Sequence, residues 1–480
     1  MIINVGWKFF ERGTSLIIVF IVQILLARIL EPTDFGIATM VTVFVSLSTI
    51  FVSGGLSNSL IQKRNADELD FSSIFWVNLA VSVSLYFILF FSAPAISNYF
   101  GYKQLTPMIR VLSINLLIIA VNSIQIAYIS KNMMFRFYFL STISGKAASG
   151  IVGILIAIFG GGAWAIVGQT LSMSLFETLV LWNKVKWRPT FIFSYERVKK
   201  LYSFAWKIMF MTFIESITDQ LRNLLIGKRY SSEALAYYNK GLLFPTIIVT
   251  NISSSLIAVM FPVIADVQDD NDRAILMCRK WISISAYVIL PILVGLILTA
   301  EQLIPVILTE KWLFSIPYLQ IAGIFYVSWI IELPIRETLK SLGHADEILK
   351  LQIIKSVVAL IMIFIVANLG VMAIAVSSVG TAFVNVLLSV YASGKLLKYD
   401  LKKVTEDIYP SLRLNFIMGI FIIGVSQFNL GAFFLLILKV IVGILVYVFA
   451  SILFKDQNYL FIKRIVENMV NKRGIKKEEL

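Results

Sequence analysis

Long apolar runs that are nearly free of charged residues recur along the whole chain, and they restrict its fold more than any other feature. Residues 37–60 and 74–98, for example, contain no Asp, Glu, Lys or Arg. A transmembrane helix needs about 20 mostly apolar residues. About fourteen runs approach or exceed this length, in a chain of 480 residues that is 58% hydrophobic and 15% charged. The chain is therefore predicted to be an all-α polytopic membrane protein with about 14 transmembrane helices.

The first of these runs needs a separate decision, because Lys8 and Arg12 precede it as they would precede a secretory signal. No small-residue cleavage site follows, so we expect an uncleaved first span. Gly160–Gly162 is typical of a tight turn between antiparallel neighbours. The predicted spans are 13–30, 37–60, 74–98, 111–130, 137–159, 163–182, 204–226, 241–265, 281–300, 313–334, 350–368, 371–394, 412–428 and 432–454.

The basic residues predict the orientation of these spans. If the N-terminus is cytoplasmic, 30 of the 42 Lys and Arg residues fall on the cytoplasmic side, 7 on the other side and 5 within spans. Cytoplasmic loops of membrane proteins carry an excess of Lys and Arg. We therefore expect a multi-pass protein of the cytoplasmic membrane with both termini in the cytoplasm.

A weak internal repeat predicts the domain organisation. Gly6-Trp7-Lys8 precedes the first span as Ala205-Trp206-Lys207 begins the seventh, and six helices separate the two copies. An even number of spans gives both copies the same orientation, as in parallel repeats that enclose a central cavity. The predicted parts are an N-terminal six-helix lobe (1–182), a cytoplasmic linker (183–203), a second six-helix lobe (204–394), two extra helices (395–454) and a basic tail (455–480).

Four charged residues share one face of the seventh span. Lys207, Glu215, Asp219 and Arg222 follow one another at helical spacing. An ionisable side chain inside a membrane is costly unless it is paired or hydrated. One interpretation is a water-filled cavity in which Glu215 and Asp219 couple transport to an ion. The other is a structural pair of Asp219 with Arg222, while Lys207 reaches back to the interface.

Further candidate cavity residues lie in the first, fourth and fifth spans. Lys146 lies about 14 Å inside the fifth span at 1.5 Å per residue, and would bind an anionic group such as phosphate or pair with an acid of the seventh span. Asn115, Asn122 and Gln125 share a face of the fourth span, and Gln23 lies in the first. These amides would line a polar cavity or, alternatively, join helices through hydrogen bonds. Four charged residues near the inner ends of helices favour a structural role: Glu177, Glu332, Arg336 and Lys355.

The sequence offers no site for catalysis, for a metal or for another cofactor. It has one cysteine, Cys278, and one histidine, His344, and it contains no phosphate-binding glycine loop that would indicate an ATPase. The net charge of +14 lies in short loops rather than on a basic face, which argues against nucleic acid as a partner. These features predict a transporter rather than an enzyme, driven by an ion gradient, the membrane potential or the gradient of its substrate.

Several segments resemble the oligosaccharide flippases of polysaccharide biosynthesis, the Wzx type, which belong to the superfamily of the multidrug and toxin extrusion transporters. The similarity extends over about residues 5–400. The segments that carry it are LLARILEPTDFGIA (25–38), FSSIFW (71–76), APAISNYF (93–100), GGGAWAIVGQ (160–169), IGKRYSSEALAYYNKG (226–241), FPVIADVQDD (261–270), EKWLFSIPYLQIAG (310–323) and SLGHADEILK (341–350).

This resemblance implies a two-lobed bundle that moves a lipid-linked oligosaccharide, usually on undecaprenyl pyrophosphate, to the outer leaflet by alternating access. Lys146 and Arg222 would then meet the phosphates and the amides would meet the glycan. Membrane lipids are expected partners, and a polysaccharide polymerase and chain-length machinery are candidates. A proton- or sodium-coupled antiporter of drugs or small cations on the same fold is the alternative, and an uncoupled lipid scramblase is a third class.

Overall fold

A computed structural model describes residues 2–53, 55–63, 65–267, 270–464 and 467. Within these ranges the chain is mainly helical and contains no strand, and the described residues of each of the fourteen predicted spans are mainly helical. The predicted all-α fold is confirmed. The helices are α1 (Ile2–Ile29), α2 (Pro32–Ser53), α3 (Leu56–Gln62), α4 (Glu68–Phe100), α5 (Leu105–Leu112), α6 (Ile114–Lys131), α7 (Phe135–Ile158), α8 (Trp164–Lys184), α9 (Tyr195–Arg229), α10 (Ser232–Ala265), α11 (Asn271–Ile307), a 3₁₀ helix (Glu310–Ser315), α12 (Ile316–Val327), α13 (Trp329–Ser341), α14 (Ala345–Val366), α15 (Val371–Leu397), α16 (Leu401–Val425) and α17 (Ala432–Leu453).

The count of fourteen spans is not confirmed. In the part of the chain that the structure describes, 12 helical segments are long and apolar enough to cross a membrane by length and composition. The first predicted span enters only as the shorter apolar helix Gly13–Ile29. The seventh corresponds to α9, whose charged residues lower its hydropathy.

Three predicted spans are broken rather than continuous. The span 37–60 divides into α2 and α3, the span 111–130 begins in α5 and continues in α6, and the span 313–334 divides between α12 and α13. Ser113 and Ser328 stand at two of these junctions, and each hydroxyl donates back to a carbonyl of the preceding turn. Such bonds offer the backbone an alternative partner where a helix bends.

The chain divides into two compact units, Met1–Ala236 and Tyr237–Leu480. The first unit includes α9, which packs on α2, α3 and α4. The boundary falls within α10, whereas the sequence places the division in the linker 183–203. The repeat of two six-helix lobes stays a prediction. Most of the predicted basic tail 455–480 lies outside the described residues.

Helices α1, α7 and α8 pack closely in the first unit, because small residues allow it. A Cβ at Gly145 of α7 would lie 2.8 Å from the carbonyl oxygen of Met173 in α8. At Gly150 it would lie 2.6 Å from a methyl group of Val22 in α1. This packing brings the two neighbouring helices against the face of α7 that carries Lys146.

The predicted turn at 160–162 joins α7 to α8. Gly160 and Gly162 have positive φ angles of 77° and 52°, which glycine adopts without a steric cost. Asp34 at the start of α2 accepts a hydrogen bond from the Ala163 backbone N–H at 3.1 Å. The turn prediction is therefore confirmed, and the Asp34 contact ties the turn to α2.

In the second unit, α11 packs on α12, α13, α16 and α17, and α14 packs on α15. The buried Lys439 of α17 donates to the Leu298 carbonyl at 3.2 Å and to Gln302 Oε1 at 2.8 Å, both in α11. Only 2% of Lys439 is exposed. Helix α17 is therefore held to α11 by a buried polar contact as well as by packing.

Candidate functional site

Lys146 lies in a polar cluster formed by three helices of the first unit. Its Nζ is 3.8 Å from Oε1 of Glu11 in α1, and the same oxygen accepts a hydrogen bond from Ser15 Oγ at 3.0 Å. Glu177 of α8 interacts electrostatically with Lys146 and accepts from Thr142 Oγ1 at 3.5 Å. The side chains of Lys146 and Glu11 are 17% and 11% exposed. One cation thus shares a largely buried site with two carboxylates.

The position of Glu11 also places Lys146 along the membrane direction. Glu11 lies two residues before the apolar segment Gly13–Ile29 of α1. Through this contact Lys146, which lies midway along α7, reaches the turn of α1 that precedes the apolar segment. Its ammonium group therefore lies nearer the predicted cytoplasmic face than its distance from the start of its own span suggested.

Sequence reasoning missed Glu11 as the partner of Lys146 and proposed an acid of the seventh span instead. Glu11 stands between Lys8 and Arg12 and looks like part of a solvated N-terminal segment. The available signal was its position at the inner end of a span, which it shares with Glu177. The partner only becomes evident once α1 packs on α7.

The charged face of the seventh span lies on α9. Arg222 is buried, with 6% of its surface exposed, and its Nη1 lies 3.4 Å from Oδ1 of Asp219. The Asp219 side chain is 76% exposed, and Glu215 is also exposed. The side chain of Lys207 lies outside the described residues. Arg222 belongs to the α9 packing, whereas Lys146 belongs to the α1–α7–α8 packing, so the two candidate cations stand in different helix clusters.

The amides of the fourth span are buried in α6. Asn115 and Asn122 are each 5% exposed and Gln125 is fully buried. Gln125 Nε2 donates to the Trp187 carbonyl of the linker at 3.1 Å, which is a structural contact. The side-chain oxygens of all three amides lie buried without a hydrogen-bond donor. Gln23 of α1 is partly buried.

The linker crosses the predicted cytoplasmic end of the first unit and is held there by the start of α4. Trp76 Nε1 donates to the Thr190 carbonyl at 2.9 Å, and Ser72 Oγ accepts from the Thr190 N–H at 3.1 Å. Arg197 of α9 binds Asp67, and its guanidinium lowers the pKa of that carboxyl from 3.8 to about 2. The linker is therefore an ordered part of the first unit.

The second unit contains a buried lysine as well. Lys355 Nζ of α14 lies 2.6 Å from Oε1 of Glu332 in α13 and donates to Ser389 Oγ of α15 at 3.0 Å. Their side chains are 7% and 14% exposed. This contact agrees with the structural role that the sequence favoured for both residues. Its nitrogen–oxygen distance is shorter than the 3.8 Å between Lys146 and Glu11.

Comparison with known proteins shows the family. The model of a family described as polysaccharide biosynthesis protein matches residues 25–317, which is more than half of the chain. The chain belongs to the polysaccharide biosynthesis protein family. The predicted resemblance is confirmed.

A relative of this polysaccharide biosynthesis protein is the teichuronic acid biosynthesis protein TuaB of Bacillus subtilis (strain 168). The two are 26% identical over 415 residues, which cover 83% of this chain and 84% of TuaB.

Two solved structures share the fold of this polysaccharide biosynthesis protein. The lipid II flippase MurJ in an inward closed conformation matches with a TM-score of 0.74 at 16% identity, over 95% of this chain and 99% of MurJ. An inward-facing multidrug resistance transporter of the MATE family, in the MOP superfamily, matches with a TM-score of 0.62 at 14% identity, over 81% of this chain and 95% of the transporter. The chain thus has the fold of these membrane transporters.

Two of the motif segments meet in the structure of this polysaccharide biosynthesis protein. Gly36, in the segment 25–38, lies against the backbone of Ser232, in the segment 226–241. The Ser232 N–H also donates to the Tyr102 hydroxyl at 3.0 Å. In these contacts, the two segments contribute to the packing of helix ends rather than to a ligand site.

Proposed function

We propose that this protein flips a lipid-linked oligosaccharide, carried on undecaprenyl pyrophosphate, across the cytoplasmic membrane by alternating access. The observation that carries the proposal is the combination of a polysaccharide biosynthesis family with the fold of a lipid flippase over nearly the whole chain. Such a substrate needs cations for its phosphates, a polar route for its glycan and a lipid-accessible side for its tail. The membrane lipids are then its immediate surroundings, and polysaccharide polymerase and chain-length proteins are the partners that would use its product.

The cationic part of the site is assigned to Lys146 and Arg222. Both side chains are mostly buried, so a phosphate that reaches them gains a stronger attraction than it would at a solvated surface. Arg222 offers a planar fork that suits phosphate, and Lys146 offers a compact point charge. Their separate helix clusters suit two successive stations for one headgroup.

The polar lining is assigned to the amides and the exposed acids. Asn115, Asn122 and Gln125 each carry a buried oxygen without a donor, which a glycan hydroxyl or a water molecule would satisfy after a local rearrangement. Gln23 is the fourth amide of this set. Glu215 and Asp219 are the candidates for ion coupling.

The antiporter alternative is supported by a specific observation, the exposed carboxylate of Asp219 on α9. An accessible acid suits a cationic drug, whereas the buried cations Lys146 and Arg222 suit an anionic headgroup. The two functions therefore use opposite charges of the same protein.

A deletion strain of the source organism tests the proposal. Loss of surface glycan, with accumulation of lipid-linked oligosaccharide on the cytoplasmic leaflet, is the expected result, and the wild-type gene restores export. Drug accumulation is measured in the same cells. Normal surface glycan together with lost drug efflux would replace the flippase by the antiporter.

A further inference from the structure

The cluster around Lys146 contains more negative charge than a buried lysine needs. Glu11 and Glu177 approach it from α1 and α8, so the described part of the cluster has two carboxylates for one ammonium group. A buried group of like charges tends to hold a proton, because two ionised carboxylates cannot both be compensated by one cation. We therefore expect the protonation of these carboxylates to change when Lys146 pairs with a different anion.

The pairing of Lys146 with Glu11 is loose. At 3.8 Å, Nζ and Oε1 form an ion pair without a direct hydrogen bond. Lys355 and Glu332 in the second unit are 2.6 Å apart, and Lys355 also donates a hydrogen bond to Ser389 Oγ. A lysine ammonium has three N–H donors. Lys146 is thus the cation with capacity for another anion, while Lys355 is held by its own contacts.

Two other cations of the packed helices have hydrogen-bond partners of their own. The one charged residue of helix α6 is Lys131, its last residue, which donates to the Lys63 carbonyl. Helix α5 carries Arg110, which donates to the Phe90 carbonyl. The remaining charged residues of the packed helices are Asp34 in α2, Lys8, Arg12 and Arg28 in α1, Arg136 in α7 and Lys184 in α8, and the side chains of Lys8 and Arg12 lie outside the described residues.

We propose that Glu11 occupies the place at Lys146 that a substrate phosphate takes, and that its displacement makes the Glu11–Glu177 pair take up a proton from water. This inference rests on the proposed function, since it requires an anionic headgroup. The charge balance is simple: the phosphate replaces one carboxylate as the partner of the ammonium group, and the proton neutralises the displaced carboxylate. Headgroup and proton then bind together at this site.

Thermodynamic linkage predicts the direction in which headgroup affinity changes with pH. If binding takes up a proton, acid must strengthen binding, because the two equilibria are reciprocal. Affinity is expected to fall as the pH rises, by up to about tenfold per pH unit for one proton.

The test uses the purified full chain in nanodiscs and a short-chain citronellyl diphosphate ester of N-acetylglucosamine, a diphosphodiester without a group that titrates near pH 7. Calorimetric titration in buffers of different ionisation enthalpy counts the protons taken up per probe bound. Wild type is expected to bind with proton uptake. Lys146→Gln is expected to bind at least tenfold more weakly, whereas Glu11→Gln binds several-fold more tightly because no carboxylate must be displaced.

Proton uptake should fall in both Glu11→Gln and Glu177→Gln. Glu347→Gln is the control, since it neutralises an exposed acid that pairs with Lys350 in the second unit. This control is expected to keep the wild-type affinity and proton count, and gel filtration of each variant verifies folding.

The outcomes separate the two proposals. Probe binding that depends on Lys146 but shows the same proton count in Glu11→Gln and Glu177→Gln overturns this inference and leaves the flippase function standing. Absence of probe binding to wild type contradicts both.

Discussion

Gly36 of α2 and Ser232 at the start of α10 are in backbone contact: a Cβ at position 36 would stand only 1.7 Å from the Ser232 carbonyl oxygen. Only a glycine allows two chain segments to approach this closely. The contact joins two segments that are almost 200 residues apart in the sequence. It gives a physical reason for the glycine in the TDFG segment.

Gly36→Ala should therefore destabilise the first unit, because α2 and the start of α10 must move apart. Overpacking of this kind costs about 1–3 kcal/mol. Thermal unfolding in detergent, followed by intrinsic fluorescence, measures the effect. Gly295→Ala in α11 is the matched control, since a Cβ there meets nothing within 4 Å. An unchanged melting temperature for Gly36→Ala would contradict the contact.

Removing one partner of the Lys355–Glu332 pair should destabilise the second unit strongly. A buried charge left without its partner costs about 3–5 kcal/mol. Lys355→Met is expected to lower the melting temperature, while the double variant Lys355→Met with Glu332→Leu should recover most of the loss, because it removes both charges. Equal losses in the single and double variants would show that shape rather than charge governs this site.

The Asp67–Arg197 contact predicts a dependence of stability on pH. A carboxyl whose pKa is lowered on folding contributes stability above its ordinary value of 3.8 and loses it as the pH falls towards about 2. Asp67→Asn should therefore flatten the fall in melting temperature between these two values. Asp272→Asn, at an exposed acid of the second unit, should keep the wild-type profile. A wild-type fall that survives unchanged in Asp67→Asn would assign the effect to other acids.

The orientation predicts the location of three reporter fusions. Reporters after Lys200 and Lys477 should report cytoplasm, and a reporter after Gly162 should report the outer side, since basic residues concentrate on the cytoplasmic side. Paired alkaline phosphatase and fluorescent protein fusions give the readout. An external signal after Lys477 would show that the number of spans is odd.

Charge at position 146 should control glycan export. Lys146→Gln is expected to reduce surface polysaccharide and to accumulate its lipid-linked precursor, whereas Lys146→Arg retains more export because it keeps the positive charge. Arg222→Gln should also reduce export. Surface glycan is compared with wild type at matched membrane abundance. Full export by Lys146→Gln would remove this residue from the headgroup route.

Much of the fold could be predicted from the sequence because a membrane span must satisfy its backbone hydrogen bonds within the helix. This local requirement gives apolar runs of about membrane length, and the described residues of all fourteen predicted runs are mainly helical. The breaks at Ser113 and Ser328 escaped prediction, since apolarity continues through both. Lys146 could be singled out for the same local reason, a charge inside an apolar run.

The sequence by itself determined the helical class, the family and the charged residues that need an explanation, because these depend on composition and local spacing. Only the tertiary structure decided that Glu11 is the partner of Lys146 and that Lys355 pairs with Glu332 and donates to Ser389. It also decided that Gln125 donates a hydrogen bond to the linker. These contacts join residues distant in the chain. They depend on how closely the helices approach one another, which glycines such as Gly145 and Gly150 permit. Helical periodicity shows which residues share a face of a helix, but it does not show which faces of two helices pack together.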